Sequence, residues 1–229
     1  MKTYSWGVNV SKEDWSYIAG FVDGEGSLML SPTPKSKWCP FQPRLRISNT
    51  NLDVIKWLQQ KIGGFIKTRE ETNNRKQIWY LVVNGTKLLP VLENMLPYLK
   101  VKKKHAELLI RYIKLRKKHR YCWGLTEEEV EIYKKLRELN QRGNTRAKPR
   151  GIKITVYKNP EEIGKKIREY RQRNNLSKRA FLEKVIGYVG STHWLNRWES
   201  GKTIPRITVL KRMSITIPEL KENYTEVSI

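Results

Sequence analysis

This 229-residue sequence predicts an α+β fold, a four-stranded antiparallel sheet with helices on one face, followed by a small all-α domain. Two patterns predict the first part and one predicts the second. Between residues 11 and about 142, apolar residues recur every three or four positions in some segments and alternate in others, the marks of helix and strand. Those segments follow the order α-β-β-α-β-β-α, with extra helices behind. From residue 160 to 213 the helical spacing dominates. Between the two parts, the stretch RGNTRAKPRGIKITVYK is rich in Arg, Lys, Gly and Pro and reads as a connection, with a short strand expected at Ile152–Tyr157. The expected organisation is a domain over 1–142, a basic linker over 143–158 and a helical domain with a tail over 159–229.

Each element has its own signal. Ser11 or Asp14 caps a helix whose apolar positions are Trp15, Ile18, Ala19 and Val22. Residues 27–37 and 41–49 read as strands. The second sets Arg44, Arg46 and Ser48 against Leu45, Ile47 and Asn49, the period of a half-buried strand. Val54, Ile55, Leu58 and Ile62 line a helix that Gly63 and Gly64 end. Strands near 65–70 and 77–83 flank a polar hairpin turn, ETNNRK. Helices follow over 87–96, 102–118 and 126–141. The last starts at Thr126 with Glu129 three residues on, a capping-box spacing.

Lys plus Arg number 46 and Asp plus Glu 22, a formal charge of +24. Such self-repulsion opposes folding, and a polyanionic partner is the usual reason to carry it. Nucleic acid fits best, because neutralised phosphates release counterions. A membrane surface fits poorly: no apolar run approaches 18 residues and no basic amphipathic tail stands apart. A merely solubilising coat is the plain alternative, against which the basic residues are interleaved with Trp, Tyr and Phe. The two cysteines, Cys39 and Cys122, support neither a zinc cluster nor a disulfide framework. The first residues hold no apolar signal core, so a soluble intracellular protein is expected, with organelle import left open. Arg44, Arg46, Lys67, Arg69, Arg75 and Lys76 fall on the strands or their turns, and a twisted sheet with one basic face suits a DNA major groove.

Residues 18–26, IAGFVDGEG, are the most informative. Gly20 lies mid-helix, where glycine costs up to about 1 kcal/mol against alanine, and together with Ala19 it permits close helix approach. Asp23 and Glu25 lie at a helix C-terminus, where the dipole is already negative. Gly24 and Gly26 make positive φ available for a tight turn. Acids beside a free carbonyl form a hard oxygen site for Mg²⁺. A helix end with solvated acids is the bland alternative.

These residues resemble the LAGLIDADG motif of homing endonucleases at nearly every position. The resemblance extends over 11–141 and implies the family's αββαββα core with a DNA-binding sheet. It implies motif helices paired across an interface through Ala19, Gly20 and Asp23. It implies metal binding by Glu25, here Glu where the family has Asp, and by the Gly24 carbonyl, with Mg²⁺ replaceable by Mn²⁺ or Ca²⁺. Leu96–Lys104, LPYLKVKKK, is similar to the segment bearing the family's catalytic lysine, which Lys102 matches. Lys102 as one more phosphate-contacting or solvated lysine is the alternative. RISNT is similar to the end of the family's second strand, where Asn49 matches a water-orienting amide. No second copy of the motif is found, so the resemblance implies a homodimer on a pseudo-palindromic double-stranded DNA site.

Residues 163–210 resemble a phage-repressor helix-turn-helix. Ile163, Ile167 and Tyr170 line one helix, Ser177 caps the next, and WESGKTIP closes the third. The resemblance implies base contacts from Thr192, His193, Asn196 and Arg197. About three extra residues precede that third helix and put its angle in doubt. A small bundle packed on the first domain is the alternative. Trp194 and Trp198 are expected in the core, and His105 and His119 facing phosphate or solvent. The functions in competition are a double-strand endonuclease, a non-cleaving DNA-binding regulator and an RNA-splicing maturase, since basic surface alone does not separate RNA from DNA.

Overall fold

The computed structural model describes residues 10–33, 40–70, 76–118, 124–141 and 153–228. Two compact units divide the chain: Met1–Pro32, Phe41–Lys114 and Lys135–Asn140 in the first, and Thr33–Pro40, Leu115–Lys134 and Gln141–Ile229 in the second.

The first unit follows the expected order. Helix α1 (Lys12–Glu25) starts at a capping box in which Ser11 accepts from the Asp14 N–H and the Asp14 carboxylate accepts from the Ser11 N–H. Its buried positions are Ile18, Ala19 and Val22. Strands β1 (Gly26–Pro32) and β2 (Phe41–Asn49) pair antiparallel from Gly26↔Ile47 to Pro32↔Phe41. Helix α2 (Leu52–Ile62) is capped by the Asn51 side chain, and Gly63 ends it at φ +68°, a conformation that favours glycine. Strands β3 (Phe65–Arg69) and β4 (Ile78–Asn84) complete a sheet of order β1-β2-β4-β3, antiparallel throughout. Helices α3 (Leu88–Met95), α4 (Lys103–Lys118) and α5 (Glu127–Leu139) follow, with the division between units falling inside α4 and α5.

One sheet face is core. Leu28, Leu30, Phe41, Leu45, Ile47, Leu81 and Val83 are buried with Ile55, Leu58 and Ile62 of α2. Burying side chains of this size gives about 1.5–3 kcal/mol each, and this alternation fixes the register. A slip of one residue would turn the arginines inward. The hairpin turn between β3 and β4, apart from Lys76, lies outside the described residues, as do Arg75 and His119.

The second unit departs from the expected all-α domain. It contains a three-stranded sheet in which β5 (Leu125–Thr126) pairs parallel with β6 (Lys153–Tyr157), which pairs antiparallel with β7 (Tyr224–Ser228). Strand β6 falls where a short strand was expected, at Ile152–Tyr157 in the linker, whereas β5 and β7 were not foreseen. Two residues in β5 are too few for alternation to stand out, and β7 lies in the tail that showed no pattern. The Thr126–Glu129 capping box is present: the Thr126 N–H donates to Glu129 Oε2 and the Glu129 N–H to Thr126 Oγ1. Helix α6 (Pro160–Arg173) leads to α7 (Lys178–Phe181), capped by Ser177 and continued by a π turn over Leu182–Ile186. Helices α8 (His193–Glu199) and α9 (Ile207–Thr216) follow. Ile163, Ile167, Phe181, Leu195, Leu210, Met213 and Leu220 form their core. Trp198 packs partly buried against it, whereas Trp194 is 49% exposed, contrary to expectation. Its place next to His193 at the start of α8 turns it away from the buried Leu195 stripe.

Candidate functional site

The C-terminal turn of α1 is where the chemistry gathers. Glu25, its last residue, is exposed, as is Gly24. Gly26 follows in extended conformation (φ −81°), so positive φ is used at neither Gly24 nor Gly26. Gly26 has a different reason to be glycine: a Cβ there would stand 2.6 Å from the Val22 carbonyl oxygen. The strand leaves the helix too tightly for any side chain.

Asp23 faces the segment before α4. Its Oδ2 accepts the backbone N–H of Lys100 (2.7 Å) and Val101 (3.1 Å), and its Oδ1 that of Lys102 (2.8 Å). Lys102 Nζ in turn donates to the Asp23 backbone carbonyl. Burial pushes the Asp23 carboxyl up, but the three N–H donors outweigh it, so it ionises below the usual carboxylate range. A carboxylate that looked misplaced at the negative end of α1 thus sits at the positive start of α4, where successive N–H groups make a concave anion site. The sequence alone did not show this, because the partners are 77 to 79 residues apart. The Lys102 ammonium is thereby tied to the helix end whose last residue is Glu25.

His105, one turn further along α4, is only 9% exposed, not facing phosphate or solvent as expected. It shares the stripe of Ala106, Leu109, Tyr112 and Ile113, a spacing that could have revealed it. Burial lowers its pKa, and the Lys102 charge adds to this against the opposing Leu139 carbonyl and Asp23. Its Nδ1 has no hydrogen-bond partner among the described residues.

Asn49 ends β2 two residues beyond Ile47, the partner of Gly26, and so lies at the Glu25 end of the strand pair. Its Oδ1 accepts the Asn51 N–H at 2.8 Å in the turn that opens α2. That oxygen has a structural task, and the amide nitrogen is the part left for water.

Of the three residues expected at a subunit interface, Ala19 is fully buried in the core of its own unit and cannot reach a partner. Asp23 is engaged as described. Gly20 is exposed, and a Cβ at Gly20 or Gly24 would meet nothing within 4 Å. With Tyr17, 54% exposed, they form one stripe along α1. Tyr17 is packed edge-on to Trp57 (centroids 5.3 Å apart).

Across the sheet, the pairings Arg46↔Val82, Val82↔Phe65, Arg44↔Asn84, Tyr80↔Lys67 and Ile78↔Arg69 put Arg44, Arg46, Lys67 and Arg69 on the face opposite the core. Arg46 and Lys67 lie over the rings of Tyr80 and Phe65, each at 5.4 Å, and Arg44 donates to Asn84 (3.0 Å). Lys76 is exposed just before β4. In the second unit His193 and Asn196 are exposed, while Thr192 and Arg197 are half-buried.

The donors at the α1 terminus suit a hard divalent cation: an exposed carboxylate and a last-turn carbonyl, Gly24, without an intrahelical donor. These are the two oxygens that the α1 terminus offers among the described residues. Among the described residues, no group of three or more His, Cys, Asp or Glu is placed to hold a metal, so a complete coordination shell needs oxygens from elsewhere. Also among the described residues, no helix is long and apolar enough to cross a membrane.

The C-terminal end of α1 thus carries an exposed acid and the tethered Lys102 ammonium, and the sheet of the same unit turns four cations to one face. Residues 18–119 match the LAGLIDADG endonuclease family. Two curated relatives are the DNA endonuclease I-CvuI of Chlorella vulgaris and the DNA endonuclease I-CreI of Chlamydomonas reinhardtii. The first is 30% identical over 101 residues, 42% of this chain and 62% of that protein. The second is 29% identical over 107 residues, 44% of this chain and 63% of that protein. The chain thus spans less than two thirds of either relative's length. Among solved structures, I-CvuI in complex with its target in the presence of calcium superposes with a TM-score of 0.45 at 20% identity, over 58% of this chain and 87% of that one.

Proposed function

We propose that the chain is a LAGLIDADG homing endonuclease that cuts double-stranded DNA at a specific site, using divalent metal and acting as a homodimer. The observation that carries this reading is the shared turn: exposed Glu25 with the Gly24 carbonyl, and Lys102 fastened to the carbonyl of Asp23 beside them. A protein that only bound DNA would gain nothing from an acid directed at phosphate. In this reading Arg44, Arg46, Lys67, Arg69 and Lys76 would meet the backbone and groove edges of the duplex, where cations supply affinity and position, and the sequence adds Arg75 to the same set. Thr192, His193, Asn196 and Arg197 of the second unit extend the footprint in the manner of a helix-turn-helix.

Glu25 and the Gly24 carbonyl are the groups that would hold Mg²⁺, with Mn²⁺ or Ca²⁺ as substitutes. When bound, the cation supplies the charge that makes a water nucleophilic and neutralises the departing oxygen of the phosphodiester. Lys102 stabilises the negative charge gathering on the phosphate, and the Asn49 amide nitrogen orients water. One acid per chain calls for a second Glu25 across a two-fold axis. Two copies of α1 reach that arrangement by packing their Tyr17, Gly20 and Gly24 faces together. The two-fold axis then matches a pseudo-palindromic site.

Cleavage of a plasmid library with Mg²⁺ by the wild type and Glu25→Gln tests the proposal. The expected outcome is cutting at a defined site by the wild type and a loss of at least about 100-fold in the variant, with DNA binding within a few-fold. Cutting by Glu25→Gln at the wild-type rate would remove this acid from the reaction.

A further inference from the structure

We propose that Asp23 is the positioning residue for Lys102, a clamp that holds the lysine at both ends and keeps its ammonium at the helix end that carries Glu25; this rests on the endonuclease reading above. One residue holds the lysine by two different groups. The Asp23 carboxylate takes the backbone N–H groups of Lys100, Val101 and Lys102 at 2.7, 3.1 and 2.8 Å. The Asp23 backbone carbonyl takes the Lys102 ammonium. The backbone of Lys102 and the tip of its side chain are therefore both referenced to α1, and Glu25 lies two residues along the same helix.

The clamp solves a specific mechanical problem. Lys102 precedes α4, whose first intrahelical bond is the Ala106 N–H to the Lys102 carbonyl. Residues 96 to 102 lie between α3 and α4, and Val101 is 72% exposed. Little apolar burial therefore holds the exposed part of this segment in place. A long lysine side chain on such a segment samples many rotamers, and ordering it costs entropy. Three charge-assisted hydrogen bonds to one carboxylate fix the backbone, and the fourth fixes the side-chain end. An acid in the last turn of a helix is otherwise unfavourable, and here it is compensated by the N–H groups that lead into α4. The clamp also gives Asp23 a reason to be acidic that needs neither a cation nor a second subunit.

The test is a double-mutant cycle on the full-length protein, cutting the site recovered from library cleavage, together with amide hydrogen exchange without DNA. Asp23→Asn is expected to speed exchange at Lys100–Lys102 and to lower kcat by about 10- to 100-fold, the usual cost of a displaced group. KM and dimer formation should stay within about two-fold. In a Lys102→Ala background, Asp23→Asn should change kcat by less than about two-fold, because a residue acting through the lysine has nothing left to position. Multiplying losses in the double variant would overturn the proposal, as would unchanged exchange at those amides. Loss of dimer with Asp23→Asn would place the residue at an interface instead, again overturning it. If the wild type itself does not cut, the endonuclease reading fails, and the exchange measurement alone decides whether the clamp exists.

Discussion

His105 shows how a residue read by its neighbours can be misread. Lysines precede it directly, which suggested a solvent- or phosphate-facing position, yet helical spacing puts it with Leu109 and Tyr112 inside the unit. Because burial lowers its folded pKa below the ordinary histidine value, the unfolded chain binds the proton more readily. Its contribution to stability is full above the unfolded pKa and is lost as pH falls through the folded one. Melting temperatures from pH 8 to 5 are expected to fall, and His105→Gln to flatten that fall. A variant with the wild-type slope would show that other groups cause it. The groups facing His105, namely Lys102, Asp23 and the Leu139 carbonyl, tie this titration to the same turn as the site. Gly24 and Glu25 were legible as one short-range motif, and Lys102 only as a match in a separate segment. The role of Asp23 and the burial of Ala19 were not, since both depend on contacts that only the folded chain makes.

At the scale of elements, legibility followed length and capping. Ser11, Thr126 and Ser177 were read as caps and make those hydrogen bonds, and the strand alternation from Phe41 to Asn49 placed the arginines on the right face. In the second unit the closing motif after α8 has structural work to do. Arg171 grips buried Glu199 with two bonds of 2.6 and 3.1 Å, Arg168 donates to the Glu199 carbonyl, and Gly201 turns the chain at φ +68°. Gly164 lets α6 lie directly on α8, since a Cβ there would overlap the Trp198 carbonyl oxygen. Backbone cannot yield as a side-chain tip can. Gly164→Ala is therefore expected to destabilise this unit by about 1–3 kcal/mol despite alanine's better helix propensity, read as a shifted denaturation midpoint. A stabilised variant would mean that α6 and α8 pack less closely than described. Strand β6 was legible as a short strand over Ile152–Tyr157, but its pairing with β5 and β7 was not, because those strands are short and far from it in sequence.

For the whole molecule, the question is why a helix should carry glycine where its own chain leaves room. A Cβ at Gly20 meets nothing within 4 Å, so within one subunit the residue costs up to about 1 kcal/mol of helix propensity with no return. In the homodimer proposed above, close approach of a second copy of α1 would supply the return and bring the second Glu25 that a single chain lacks. The two effects separate in Gly20→Leu. Leucine is a strong helix former with open space around it, so the folded subunit should be as stable as the wild type or up to about 1 kcal/mol more so. The same side chain standing between two paired helices should hold them apart. The variant is then expected to elute as a monomer, to keep its charge-driven affinity for DNA in part, and to lose double-strand cleavage. Stability and assembly moving in opposite directions is an outcome that simple misfolding does not produce. Should Gly20→Leu remain dimeric and cut DNA at the wild-type rate, the two-fold axis lies on another face of the molecule and Glu25 does not meet its copy through α1.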